Sequence, residues 1–146
     1  MSNTKKTIRV AVVDDNAQLR YIAVNQLENS GCIVQFQVSN GQKALQKIKE
    51  DGALPDVCVI EEDFSTAKIL LEKYPDLKVL ISSTNDNEKN VLDMLKTGVS
   101  GYILKYADPD ELLTAVKVLS ENKKYFSVGV SRTATEYFHG NTGELY

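Results

Sequence analysis

Ile8-Arg9-Val10-Ala11-Val12-Val13-Asp14-Asp15-Asn16 decides the fold. It is a β-branched, apolar run closed by two carboxylates and an amide. Apolar residues at successive rather than alternating positions mark a strand buried on both faces, as in a parallel sheet covered by helices on each side. Four more short runs follow, Cys32 to Val38, Val57 to Ile60, Leu77 to Ile81 and Gly101 to Leu104. The second alternates Val34, Phe36 and Val38 with Gln35 and Gln37, which predicts an edge strand with one wet face.

Between the runs the period becomes helical. Leu19, Ile22, Ala23 and Leu27 mark the first helical face, and Ala44, Leu45 and Ile48 the second. Ala67, Leu70, Leu71 and Tyr74 mark the third, Val91, Leu92 and Leu95 the fourth, and Leu112, Ala115, Val116 and Leu119 the fifth. Gly52 and Gly98 stand where a left-handed C-terminal residue is wanted. Asp108-Pro109-Asp110-Glu111 predicts a helix start, with Asp108 as cap, proline at the first position and glutamate at the third. Asn85 to Glu88 forms a weaker capping box. Five strands alternating with five helices predict a three-layer parallel α/β domain over 7–121, after a polar tail at 1–6. Residues 122–146 form an extension in which Val130 to Phe138 predicts a short helix.

Composition agrees. The 146 residues are 42% hydrophobic and 25% charged, enough to bury one core. Seventeen basic against twenty acidic residues leave a net charge of −3, with no footprint for nucleic acid or an anionic membrane. No apolar run approaches a membrane span, and Met1 to Lys6 lacks the apolar core of a secretory signal, so the expected compartment is the cytoplasm. Cys32 and Cys58 lie in apolar stretches and read as buried, reduced thiols.

In a parallel α/β sheet, binding chemistry collects beyond the carboxyl ends of the strands. The first run ends in Asp14-Asp15, the third in Glu61-Glu62-Asp63, the fourth in Ser82-Ser83-Thr84 and the fifth in Lys105. Carboxylates converging with a hydroxyl and an ammonium suit a hard divalent cation, and equally an anion completed by the lysine. Taken alone, Asp14-Asp15 also reads as helix capping, which Asp15 or Asn16 can perform. The only histidine, His139, lies in the tail, which removes a Ser-His-Asp triad. No glycine-rich nucleotide motif follows the first strand.

These residues resemble a response-regulator receiver domain of two-component signalling. Val12-Val13-Asp14-Asp15-Asn16 resembles its acidic pair, and Pro55-Asp56-Val57-Cys58-Val59-Ile60-Glu61 its third-strand motif. Lys78-Val79-Leu80-Ile81-Ser82-Ser83 is similar to the fourth strand with its switch hydroxyl. Gly98-Val99-Ser100-Gly101-Tyr102-Ile103-Leu104-Lys105 is similar to the fifth strand with its aromatic switch and lysine. Asp108 to Leu113 and Lys124-Tyr125-Phe126-Ser127 resemble the LuxR-type subgroup. The resemblance covers about residues 7 to 130, and 105 − 83 = 22 residues separate hydroxyl from lysine, as in the family.

The resemblance implies a flavodoxin-like, CheY-like five-stranded sheet in the order 2-1-3-4-5. Strands two and three would then flank strand one, about 9 to 10 Å apart, too far for a Cys32–Cys58 disulfide without displaced backbone. It also implies that Asp14 and Asp15 hold a magnesium ion, with Glu61 and the Asp63 backbone as further ligands. Ser83 and Tyr102 would be the switch pair, and Lys105 the partner of phosphate oxygens. The expected partners are a histidine kinase or other signalling protein, and a second copy through the face of the fourth helix, fifth strand and fifth helix. The 25 residues after residue 121 are too few for a helix-turn-helix, so DNA contact is expected only through an output domain outside these residues.

Two departures matter. Glu61 stands where the family carries its phosphoacceptor aspartate, and the extra methylene displaces the carboxylate by about 1.5 Å. In-line phosphoryl transfer is sensitive to such an offset, on the order of 100-fold in rate. The family's Met-Pro-x-x-x-Gly loop is also missing, since only 83 − 61 = 22 residues separate Glu61 from Ser83. The expectation is an atypical, phosphorylation-independent receiver, not an enzyme, with magnesium bound weakly or not at all. Two alternatives stand beside it. One is a conventional switch phosphorylated at Asp63 or weakly at Glu61; the other is a small-ligand or metal-binding flavodoxin-like module.

Overall fold

The computed structural model describes residues 7–61, 63–105 and 110–142, with side chains as far as residue 139. Expectations for Met1 to Lys6, Glu62, Asp108, Pro109 and residues 143–146 lie outside the described residues.

Strands and helices alternate as β1 (Arg9–Val13), α1 (Ala17–Asn29), β2 (Ile33–Val38), α2 (Gly41–Asp51), β3 (Val57–Glu61), α3 (Phe64–Lys73), β4 (Val79–Ser83), α4 (Glu88–Thr97), β5 (Gly101–Leu104), α5 (Glu111–Ser120), β6 (Tyr125–Phe126) and α6 (Val128–Thr142). The sheet runs β2-β1-β3-β4-β5-β6, and every neighbouring pair is parallel. The predicted order 2-1-3-4-5 is therefore present, but the sheet has six strands, not five. The sixth is only Tyr125–Phe126, too short to carry a periodic signal, and it exists because it pairs with Gly101 and Tyr102 of β5. α6 extends the predicted Val130 to Phe138 at both ends.

Alternate strand residues feed two cores, as the pleat requires. Ala11, Val13, Cys58, Ile60, Val79, Ile81 and Tyr102 face one core, which α2, α3, α4 and α6 close. Val10, Val12, Val57, Val59, Leu80 and Ile103 face the other, under α1 and α5. The helical periodicities hold on α2 to α5, with Met94 rather than Leu92 the buried residue of α4. On α1 they hold in part: Leu27 is buried and Ala23 packs against the core, whereas Leu19 and Ile22 are exposed, Ile22 by 57%. Leu19 and Ile22 line a cleft shared with Ile103, Lys105 and Leu112.

The caps explain the helix boundaries. Asn16, Asn40, Asp63 and Asn87 each accept from backbone amides of the first turn of α1, α2, α3 and α4. Asn87 therefore opens α4, two residues beyond the predicted Asn85. Gly52 and Gly98 close α2 and α4 in the left-handed conformation, as predicted. Cys32 and Cys58 are both free. Burial raises both thiol pKa values, that of Cys58 to about 12, which leaves it protonated and inert. No helix among the described residues is long and apolar enough to cross a membrane.

Candidate functional site

β1 stops at Val13, and its neighbour β3 stops at Glu61, so their acidic ends meet at one rim of the sheet. Asp14 is buried, and its amide is held to β2 by a 3.1 Å bond to the Val38 carbonyl. Its Oδ1 accepts from the Asn16 amide at 2.8 Å, and Arg20 Nη1 donates to its carbonyl at 2.6 Å. Because Asn16 performs the capping of α1, neither Asp14 nor Asp15 is needed for it. Carboxylate oxygens of Asp14, Asp15 and Glu61 all lie within 4.8 Å of one another.

Lys105 closes the cluster. Its Nζ lies 3.5 Å from Asp14 Oδ2 and 3.8 Å from Glu61 Oε2. One ammonium reaches two of the three carboxylates, so negative charge is in surplus. Glu61 has a pKa raised to about 7. Desolvation is the first cause, then the hydrogen bond with Asp15 and the charge and hydrogen bond of Asp14, with Lys105 acting in the opposite direction. When protonated, Glu61 can donate to its acidic neighbours. When all three are ionised, the cluster offers hard oxygen donors only, a set that fits a divalent cation such as magnesium.

Ser83 and Tyr102 form a second assembly beside the first. Ser83 is buried at the end of β4, and its Oγ accepts from the Asn85 amide at 2.9 Å. The Tyr102 hydroxyl donates to the Asn85 carbonyl at 2.5 Å and accepts from Asn90 Nδ2 at 3.1 Å. The two assemblies are joined through backbone, where the Lys105 amide donates to the Ser83 carbonyl at 2.8 Å.

Asp63 is placed differently. Its two oxygens accept from Ser65 Oγ at 2.8 Å, Thr66 Oγ1 at 2.9 Å and the Thr66 amide at 3.2 Å. Burial acts to raise its pKa, but these bonds outweigh it and hold the carboxyl below its ordinary value. The strand-to-helix passage is as short as the sequence implied, since α3 begins at Phe64. Asp63 still borders the cleft lined by Asp14, Asp15, Ser39 and Glu61.

Sequence reasoning missed Arg20, Asn85 and Asn90. Asn85 was read only as a cap, and nothing in its spacing signals that its backbone amide and carbonyl would serve the two switch residues. It also missed the use of Glu111. That carboxylate accepts from Tyr125 OH at 2.9 Å and Ser127 Oγ at 2.7 Å instead of reaching back over its own helix start.

The model of the response regulator receiver domain matches residues 10–117. The chain belongs to this family. The receiver is 31% identical over 128 residues to the transcriptional regulatory protein DegU of Brevibacillus brevis, covering 81% of this chain and 52% of DegU. It is 26% identical over 147 residues to the oxygen regulatory protein NreC of Staphylococcus carnosus, covering 94% of this chain and 66% of NreC. The receiver thus spans between about half and two thirds of these relatives' length. Among solved structures, it superposes on a LuxR-family response regulator from Aurantimonas sp. SI85-9A1 with a TM-score of 0.82 at 21% identity, covering 91% of this chain and 99% of that one. The receiver domain of the response regulator NarL from Mycobacterium tuberculosis gives 0.73 at 27% identity, covering 82% and 100%.

Proposed function

We propose that this receiver is atypical and works without phosphorylation, as a signalling module that binds other proteins or regulates a transcriptional output domain. The observation that carries the reading is the Glu61–Lys105 contact at 3.8 Å. In this reading the Glu61 carboxylate stands where the phosphoacceptor would be and already engages the lysine that a phosphoryl group would recruit. A built-in ligand of this kind biases the Ser83–Asn85–Tyr102 assembly toward one arrangement without a kinase. The abrupt entry into α3 supports the same reading, because it omits the loop that walls a phosphorylation pocket.

Asp14, Asp15 and Glu61 would hold magnesium if the cluster is fully ionised; a bound ion would neutralise the surplus charge there. Lys105 competes for the same oxygens, so the binding is expected to be weak. We assign no turnover of a second substrate to the domain. A histidine kinase or other signalling protein remains the expected upstream partner, and DNA contact is assigned to an output domain. The test is intact-mass analysis after incubation with acetyl phosphate and magnesium. An unmodified chain is expected; stoichiometric gain of one phosphoryl group would overturn phosphorylation independence.

A further inference from the structure

The cleft between α1 and α5 reaches down to the sheet. Val12 of β1, Val59 of β3 and Ile103 of β5 form its floor. These three belong to the core that α1 and α5 cover, so the cleft is a gap in that cover. Leu19 and Ile22 of α1 and Leu112 of α5 form its walls. Scattered aliphatic side chains in water are ordinary. Leu19 and Ile22 differ, because their exposed surface continues into a recess of about 170 Å³. A dry space of roughly 150 Å³ is enough for one benzene-sized ring.

One end of the cleft is charged, and the pleat of the sheet makes it so. Residues two apart on a strand point to the same face. Val12 is followed at that spacing by Asp14, Val59 by Glu61 and Ile103 by Lys105. All three charged residues line the same cleft as their apolar predecessors. Two residues of strand span roughly 6.6 Å, so the apolar floor and the charged rim are one short ligand apart.

The sign of the rim selects the ligand. Asp14, Glu61 and Glu111 line the cleft against a single base, Lys105. Lys105 already faces Asp14 at 3.5 Å and Glu61 at 3.8 Å, so an anion arriving there would compete with fixed carboxylates. Asp14 and Glu111 alone outnumber it. A cation meets the surplus. A bare metal ion would use the rim and leave the apolar floor in water; an organic cation covers both.

We propose that this cleft binds a small organic cation, a ring-sized apolar body joined by a short linker to one ammonium group. The body lies over Val59 and Ile103, and the ammonium reaches the acidic rim. The site goes beyond the protein-binding function proposed above and does not require it. Its occupant would touch Ile103, next to Tyr102, and Lys105, whose amide donates to the Ser83 carbonyl at 2.8 Å. A ligand there would therefore bear on the Ser83–Tyr102 assembly by a route separate from phosphoryl chemistry.

Methyl-detected NMR titration of the intact chain in chelator tests this, with three probes of one shape: 2-phenylethylammonium, neutral 2-phenylethanol and anionic 3-phenylpropionate. The ammonium probe is expected to shift the methyl signals of Leu19, Ile22, Val59, Ile103 and Leu112 and to give intermolecular NOEs to them. Its dissociation constant is expected on the order of 1 mM, the range for a fragment of about nine heavy atoms. It should bind about tenfold or more tighter than the anion, with the alcohol between, because the rim charge attracts one and repels the other. Ala23→Leu, which fills the cleft from α1, is expected to weaken it by about fivefold or more through lost space. The proposal is overturned if about 10 mM ammonium probe leaves these methyls unmoved. It is equally overturned if the anion binds as tightly, if the NOEs map elsewhere, or if the same signals shift with protein concentration alone, which would make a second copy the occupant. Should Ala23→Leu not fold, the three-probe series on the wild type decides.

Discussion

The Tyr102 hydroxyl donates to the Asn85 carbonyl while the amide of the same Asn85 donates to Ser83 Oγ. A single residue after β4 therefore senses both the hydroxyl of its own strand and the ring of its neighbour. The two switch residues thus share Asn85 as a common backbone partner. This coupling is local and hydrogen-bonded, and it adjoins the acidic cluster through the Lys105 amide on the Ser83 carbonyl.

Tyr102→Phe keeps the buried ring and removes the hydroxyl that donates to the Asn85 carbonyl and accepts from Asn90 Nδ2. It is expected to destabilise the fold by about 1 to 2 kcal/mol in urea denaturation, the range for a buried carbonyl deprived of its hydrogen bond. An unchanged midpoint would show that the bond contributes nothing in the folded state.

Glu61→Asp shortens the side chain by one methylene and moves the carboxylate back toward β3. If chain length is what blocks phosphoryl transfer, this variant gains one phosphoryl group from acetyl phosphate and magnesium where the wild type gains none. Equal inertness of the two proteins would shift the blame to the missing loop before α3.

Glu61 also sets a pH dependence. Its folded pKa, about 7, lies above the ordinary 4.5, so the folded chain holds a proton that the unfolded chain releases. The resulting stability is fully present below about pH 4.5 and is lost as the pH rises through about 7. Urea midpoints measured in chelator across this window are expected to fall for the wild type and to fall less for Glu61→Gln. Parallel curves would remove Glu61 as the titrating group.

Asp63 is predicted to matter for folding and not for signalling. Asp63→Ala removes the cap of α3 and is expected to cost about 1 to 2 kcal/mol. Because the folded pKa of Asp63 is lowered, the wild-type increment is present above the ordinary carboxylate range and disappears as pH falls through that lowered value. A phosphoryl signal in the wild type that Asp63→Ala abolishes would contradict this assignment.

Gly101→Ala places a Cβ 2.8 Å from the Tyr125 carbonyl oxygen and 2.9 Å from Leu80 Cδ1. Overpacking against backbone is expected to destabilise by about 1 to 3 kcal/mol, read by thermal or urea unfolding.

The alternation of strands and helices was legible because buried parallel strands have no polar face to confuse the pattern, as in Val57 to Ile60. The acidic rim was legible because Asp14, Asp15, Glu61 and Lys105 each lie at or just beyond the carboxyl end of a strand. Helix α1 was legible only in part, since Leu19 and Ile22 obey helical spacing yet line an open cleft beside α5; periodicity reports which residues share a face, not how fully it is covered. β6 was invisible because two residues have no period, and the role of Glu111 because its partners lie 14 and 16 positions away. Long-range hydrogen bonds leave no local trace.

The presence of β6 also decides how the sheet ends. At the opposite margin, β2 shows solvent Gln35 and Gln37, and Gln35 is occupied by Arg9, Asp51 and the Ala53 carbonyl. On this side, β5 is Gly101-Tyr102-Ile103-Leu104, apolar and buried throughout. A chain truncated before Tyr125 would bare that row of unpaired backbone groups, an invitation to strand-by-strand aggregation. The last two strand residues therefore act as a guard of solubility, a duty separate from any message the domain transmits.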